Sequence, residues 1–443
     1  MPHERAQGGA RAAAILPVVL IVSLFFLWGM ANNLNDVLIA QFRKAFALSD
    51  LQSGLVQSAF YMGYFLLALP ASLFMQRFGY KAAVVFGLTL YGVGALLFWP
   101  AAESRLYGAF LAALFVIASG LAFLETSANP LVIALGDPKS GPRRLGLAQA
   151  FNPLGSITGI LVGRQFIFSG VEHSPAQLAA MTPAQAMAFH QAEAHAVQLP
   201  YLALGAFVLA WAALTTLTRF PPVAVDREVK APGQSFAADI GKLMGYRRYL
   251  FGVATQFFYV GAQVGVWSYV IRYAQRETGV LERTAADYLF LSLVAFTIGR
   301  FAGSALMTRI RSERLMTGFA AVNVMLCLAA VVAPGPLGLW ALVVSSFFMS
   351  VMYPSIFALS VRDLGPLTKL GASLLVMSII GGAVLTALMG WVSDLSSIAV
   401  AMTVPAGCFG VVGLFAWTSW SARAVESDPG GQSAPVVTAA SRP

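Results

Sequence analysis

The sequence predicts an all-α integral membrane protein, with twelve transmembrane helices in two pseudo-symmetric six-helix halves. Three observations predict it. Hydrophobic residues make up 58% of the chain and charged residues only 11%, with a mean hydropathy of +0.74, whereas soluble domains carry roughly 25% charge. Apolar runs long enough to cross a hydrocarbon core of about 30 Å recur twelve times. The fourth run also has an echo in the tenth, Asn129-Pro130-Leu131-Val132-Ile133-Ala134-Leu135 against Tyr353-Pro354-Ser355-Ile356-Phe357-Ala358-Leu359, as folds built from two related halves show.

The spans are 14–42, 52–75, 82–100, 105–135, 145–169, 199–218, 248–274, 285–307, 313–333, 336–361, 369–393 and 397–420. Span one follows Arg5 and Arg11 as a signal peptide would, but its apolar run is long and has no convincing cleavage site. It reads as a retained helix. The short loop Gln76-Arg77-Phe78-Gly79-Tyr80-Lys81 joins spans two and three, and its counterpart between spans eight and nine, Ser304 to Arg309, ends on a comparable arginine. Leu145-Gly146 opens span five as Leu370-Gly371 opens span eleven. The connection from Gly170 to Gln198 contains Ser174-Pro175-Ala176-Gln177 and Thr182-Pro183-Ala184-Gln185, each an N-cap hydroxyl with Pro at N1 and a capping-box Gln. Short helices over the outer mouth are expected there. The connection from Arg219 to Arg248 carries Pro221, Pro222, Pro232 and a run of charges, as a linker between halves would. The expected division is a cytoplasmic N-terminus 1–13, a first half 14–218, a linker 219–247, a second half 248–421 and a disordered tail 422–443.

Orientation follows from the basic residues. Arg5, Arg11, Arg77, Lys81, Arg143, Arg144, Arg227, Lys230, Arg309, Arg311 and Arg314 lie on the side of the N-terminus and the even-to-odd loops. The opposite side holds Arg43, Lys44, Arg105, Arg272, Arg276 and Arg283. The positive-inside rule therefore places both termini in the cytoplasm. The net charge of +9 is then a mark of topology and of attraction to anionic lipid, with no basic-aromatic module that would bind nucleic acid. Cys327 and Cys408 both fall inside apolar spans, so neither a disulfide framework nor a metal cluster is expected.

Polar residues inside the spans are few. Asp36 and Glu125 are lone carboxyls, and a charge at the bilayer centre costs roughly 3 kcal/mol on insertion scales, so each is a candidate functional group. A carboxyl in a low dielectric favours its neutral form and can carry a proton. All four histidines, His3, His173, His190 and His195, lie outside the spans, which leaves Asp36 and Glu125 as the proton-coupling candidates. Arg164 and Arg300 are the intramembrane cations, near span ends where snorkelling to water is expected.

Asn32, Asn33 and Asp36 share one face of span one, and Glu125 and Asn129 stand at i, i+4 in span four. Gln149 and Asn152 stand at i, i+3 in span five; Gln256, Tyr259 and Gln263 form one stripe of span seven. Planar amides and carboxyls suit hydroxyl recognition, and Trp28, Tyr259, Trp267, Tyr269 and Tyr353 offer faces for the C–H side of a sugar ring. The substrate-binding candidates are Asn32, Asn33, Glu125, Asn129, Gln149, Asn152, Gln256, Tyr259, Gln263, Trp267 and Tyr353. Arg77, Gly79, Arg300 and Arg309, toward the inner ends of spans two and eight, are the gating candidates. The competing assignment for the amides is helix-to-helix hydrogen bonding, and for the aromatics interfacial anchoring.

Two halves joined by a basic linker resemble the major facilitator superfamily, and the loop from Gln76 to Lys81 resembles its signature between spans two and three, with Gln76 in place of the usual aspartate. The run from Phe26 to Asp36, the segment Leu124-Glu125-Thr126-Ser127-Ala128-Asn129-Pro130, the segment Leu147 to Asn152, and Gln256 to Tyr273 are similar to the fucose/galactose/glucose:proton symporter family, most of all to its L-fucose branch. The resemblance implies a multi-pass protein of the bacterial inner membrane that imports L-fucose or a related hexose with a proton by alternating access. It implies no enzymatic step, no cofactor and a monomer in lipid. Asp36 matches the family's proton-transfer aspartate, Glu125 its sugar-recognition glutamate, and Gln149 and Asn152 its polar cavity residues. Val37 and Ala40 depart from the family pattern, where prolines follow the acid. The alternatives are glucose or galactose uptake, for which a Gln in place of Glu125 would be expected, and export of small molecules.

Overall fold

The computed structural model describes residues 17, 19–31, 34, 50–104, 106–135, 137–162, 166, 181–220, 222 and 236–426. Every expected span has a helix among them. Span one is seen over Val19–Ala31. Spans two and three form one helix, Asp50–Leu96, in which Gly79 has φ 85° and ψ 169°. The expected loop is thus a sharp bend, at a backbone conformation that glycine alone adopts cheaply. Phe98–Ser104 follows, and Tyr107–Ala134 is span four.

Three spans are interrupted. Span five splits into Gly141–Gln149 and Phe151–Val162, and span ten into Pro336–Met349 and Met352–Val361. Span eleven is Thr368–Met377 and Gly381–Leu395, joined by the 3₁₀ turn Ser378–Ile380. Irregular backbone at membrane depth needs protein around it, and span ten has it. Of its most apolar stretch 83% is buried, against 33% for span nine, Ser312–Val332, so ten is interior and nine peripheral. Span six is Gln198–Leu217, seven Arg247–Thr278, eight Glu282–Leu306 and twelve Thr403–Glu426.

The capping box at Thr182 forms as expected. Gln185 N donates to Thr182 Oγ1 at 3.3 Å, Thr182 N donates to Gln185 Oε1 at 3.0 Å, and the helix Pro183–His195 follows. The sister motif at Ser174 lies outside the described residues. Phe236–Gly245 adds a helix in the linker that the composition did not predict.

Packing inside the first half is close. A Cβ on Gly29 would run into the Asn152 carbonyl, and one on Gly155 into the Phe26 carbonyl, so spans one and five touch backbone to backbone. Lys81 Nζ donates to the carbonyls of Thr216 and Thr218, both at 2.8 Å, and ties the bend after span two to the end of span six. In the second half, Arg362 and Glu313 pair at 3.4 Å with both side chains nearly buried. Between the halves, the Lys369 ammonium lies 5.2 Å from the centre of the Tyr80 ring. Cys327 and Cys408 are buried and free, as packing residues.

Candidate functional site

Glu125 is 1% exposed, near the middle of span four, where every residue from Ile117 to Val132 is buried. Its Oε1 accepts a hydrogen bond from the Tyr353 hydroxyl, which arrives from span ten in the other half. Its Oε2 has no partner. Tyr353 reaches this position as the second residue of the second segment of span ten, where its ring stacks on Phe357 at 6.3 Å and meets Tyr259 edge-on at 6.3 Å. The carboxyl therefore sits on the seam between the halves.

A second polar chain crosses the same seam. Arg300 Nη1 donates to Gln149 Oε1 at 2.6 Å, and Gln149 Nε2 donates to Asn129 Oδ1 at 3.1 Å. Gln149 is the last residue of the first segment of span five, so the break there sets its side chain between spans four and eight. Arg300 does not snorkel. It is 5% exposed, its guanidinium lies 4.8 Å from the centre of the Phe296 ring, and its Nε has no hydrogen bond. Gln149 and the ring give it partners at depth, an arrangement that span position alone does not reveal. Among the described residues no carboxylate pairs with it.

Most of the unsatisfied buried polar atoms among the described residues belong to spans one, two, four, seven, eight and ten, with others on Trp211 of span six, Arg248 at the start of span seven and Ser419 of span twelve. Besides Glu125 Oε2 and Arg300 Nε they include Asn129 Nδ2, Thr126 Oγ1, Trp28 Nε1, Tyr64 Oη, Ser304 Oγ, Ser355 Oγ and both amide atoms of Gln256. Buried polar groups in folded proteins are nearly always paired, so the unpaired ones are candidates for contact with a ligand. The set is rich in hydroxyl-binding groups and flanked by aromatic faces, which suits a small polyhydroxylated molecule.

The other predicted residues divide. Tyr259 donates to the Met349 carbonyl at 2.9 Å and Trp267 Nε1 to Ser346 Oγ at 3.2 Å, while the Trp267 ring meets Phe296 edge-on at 5.0 Å. Tyr269 donates to the Thr386 carbonyl, with Arg272 over its ring at 4.6 Å. Asn152 and Gln263 are half-buried. Arg77 and Arg309 are exposed, Arg77 lying against Phe78. Asn32, Asn33 and Asp36, and with them Arg164, lie outside the described residues. The sequence reading missed Tyr64, Thr126, Phe296 and Ser355, because single hydroxyls and rings in apolar spans carry no pattern.

Two six-helix halves with a buried carboxyl and unpaired polar groups on their seam define a membrane transporter. The chain belongs to the Major Facilitator Superfamily, whose family description matches residues 20–373. It is similar to the L-fucose-proton symporter of Escherichia coli strain K12, with 46% identity over 93% of this chain and 94% of that protein. It is 34% identical to a glucose/galactose transporter of Brucella abortus, over 88% of this chain and 91% of that one. The crystal structure of the major facilitator transporter FucP in the outward conformation matches with a TM-score of 0.86 at 46% identity, covering 92% of this chain and 99% of that chain.

Proposed function

We propose that this protein is a proton-coupled sugar symporter that imports L-fucose, or a closely related hexose, by alternating access. The observation that carries this reading is Glu125: a buried carboxyl bonded to the opposite half through one oxygen and unpaired at the other. One group can thus meet sugar, proton and the opposing half together. The similarity to a named L-fucose-proton symporter over nearly the whole chain supports the substrate. The carboxyl favours L-fucose over the glucose/galactose reading, for which the family resemblance implies an amide at this position.

In the outward-facing state Asp36 takes a proton and sugar binds beside Glu125, with Asn129, Gln149 and Gln256 offering amides and Tyr353, Tyr259 and Trp267 the walls. The role of Asp36 rests on its place in span one and on the family resemblance. The halves 14–218 and 248–421 then rock about the site, hinged through the linker 219–247, and release sugar and proton inside. Arg300 bridges the halves at the seam, and Arg77, Gly79 and Arg309 act at the inner ends of spans two and eight. The distribution of Lys and Arg supports both termini being cytoplasmic at the inner membrane, and the resemblance implies a monomer. A proton moving down about 100 mV supplies roughly 2.3 kcal/mol, and each pH unit about 1.4 more, enough together for roughly several-hundredfold accumulation.

The test is uptake of labelled L-fucose, galactose and glucose into proteoliposomes under an imposed pH gradient, with a sodium gradient as control. L-Fucose uptake driven by the pH gradient is expected. Uptake indifferent to that gradient defeats the proton model, and uptake of glucose or galactose in preference defeats the choice of sugar.

A further inference from the structure

We infer that Tyr64 of span two is a specificity-determining residue whose hydroxyl, together with Trp28 Nε1 and Glu125 Oε2, reads one ring hydroxyl of the sugar. The inference rests on the sugar reading above. Tyr64 is 2% exposed, and its Oη faces the Trp28 indole without closing a well-formed hydrogen bond to it or to any other group among the described residues. It lies within electrostatic reach of Glu125 and Tyr353 and beside Trp28, with the Phe60 ring 5.4 Å away. One turn earlier on the same face, the Tyr61 hydroxyl reaches Gly382 of span eleven, so this side of span two borders the opposite half.

Ordinary packing would place a buried tyrosine hydroxyl on a backbone carbonyl. Tyr91 does this at Leu27, Tyr249 at Gly371, Tyr259 at Met349 and Tyr273 at Ala330. Tyr64 does not. The three atoms also differ in sense: the indole N–H donates only, the carboxyl oxygen accepts when ionised and donates when protonated, and the phenol does either. A partner that donates and accepts through one oxygen satisfies them, as a sugar hydroxyl does. A ring oxygen or a methyl group does not.

The experiment measures Kd by titration calorimetry on the purified full-length protein, for L-fucose and for analogues with each ring hydroxyl removed in turn. Tyr64→Phe is expected to raise Kd for L-fucose about tenfold. For the analogue that lacks the hydroxyl Tyr64 reads, Tyr64→Phe is expected to change nothing, and Trp28→Phe should show its effect at the same ring position. A uniform loss across all analogues, or no loss with any, overturns the inference. If Tyr64→Phe does not fold, the analogue series on Trp28→Phe decides by the same criterion. Wild-type protein that binds none of these sugars would instead overturn the sugar reading itself.

Discussion

Replacing Glu125 by alanine removes both carboxyl oxygens from a position that is 1% exposed. The Tyr353 hydroxyl then loses its acceptor, and on the proposed reading a sugar hydroxyl loses the partner now unpaired at Oε2. Each stranded group costs about 1–3 kcal/mol; the tyrosine's loss falls on the stability of free and bound protein alike, whereas the sugar hydroxyl's falls on binding, about 2 kcal/mol or a roughly thirtyfold rise in Kd. Glu125→Gln keeps the shape and one acceptor and exchanges a charge-assisted bond for a neutral one. That difference is about 1 kcal/mol, or roughly fivefold in Kd. The pair therefore separates loss of the site from loss of its charge. The assay is titration calorimetry with L-fucose at pH 6 and pH 8, with thermal unfolding to confirm that both variants fold. Wild-type affinity is expected to differ between the two pH values, and Glu125→Gln to flatten that difference. A Glu125→Ala protein that folds and binds L-fucose within threefold of wild type refutes the assignment.

The remaining predictions test the rest of the seam. Asp36→Asn is expected to abolish gradient-driven accumulation while preserving sugar exchange across proteoliposomes; normal accumulation would remove it from the proton path. Arg300→Gln breaks the 2.6 Å bond to Gln149 and frees an end of the chain that holds Asn129, so Kd for the sugar should rise roughly tenfold, and an unchanged Kd would show that the chain is packing alone. Gly155→Ala drives a methyl into the Phe26 carbonyl, which should cost about 1–3 kcal/mol and appear as a lower unfolding temperature in detergent. An unchanged Tm would mean that spans one and five can separate at no cost.

What could be read from the sequence was what local patterns encode. Apolar runs found the spans, and a four-residue motif found the capping box at Thr182, because neither depends on distant partners. Asn129 and Glu125 could be paired by their spacing on one helix face. The groups across the seam could not, since Tyr353, the partner of Glu125, and Arg300, which reaches Asn129 through Gln149, stand in the other half of the chain and meet spans four and five only through the fold. The depth of Arg300 is hidden for the same reason: its place in span eight suggests a route to water, but Gln149 and Phe296 hold it in. The breaks in spans five and ten had no turn signal, because Ala150 and Ser350-Val351 are ordinary residues whose irregular backbone is tolerated inside a protein core.

The buried amides divide, residue by residue, between stapling helices together and staying free for a ligand. Gln149 uses its oxygen for Arg300 and its nitrogen for Asn129, as a staple between helices would. Asn129 gives its oxygen to that staple and keeps its nitrogen unpaired, and Gln256 leaves both ends unpaired at full burial. Stapling accounts for the first, half of the second and nothing of the third. Tyr259 and Tyr269 likewise have their hydroxyls on backbone carbonyls, so they can offer a sugar a ring face and no donor, whereas Tyr64 and Trp28 keep theirs unpaired. On the proposed reading, the polar atoms left for a substrate come mainly from spans one, two, four and seven, with Ser304 and Ser355 adding hydroxyls from eight and ten. Carboxyl and indole face it from the first half and an amide from the second, which is the division that a site opened and closed by two moving halves requires.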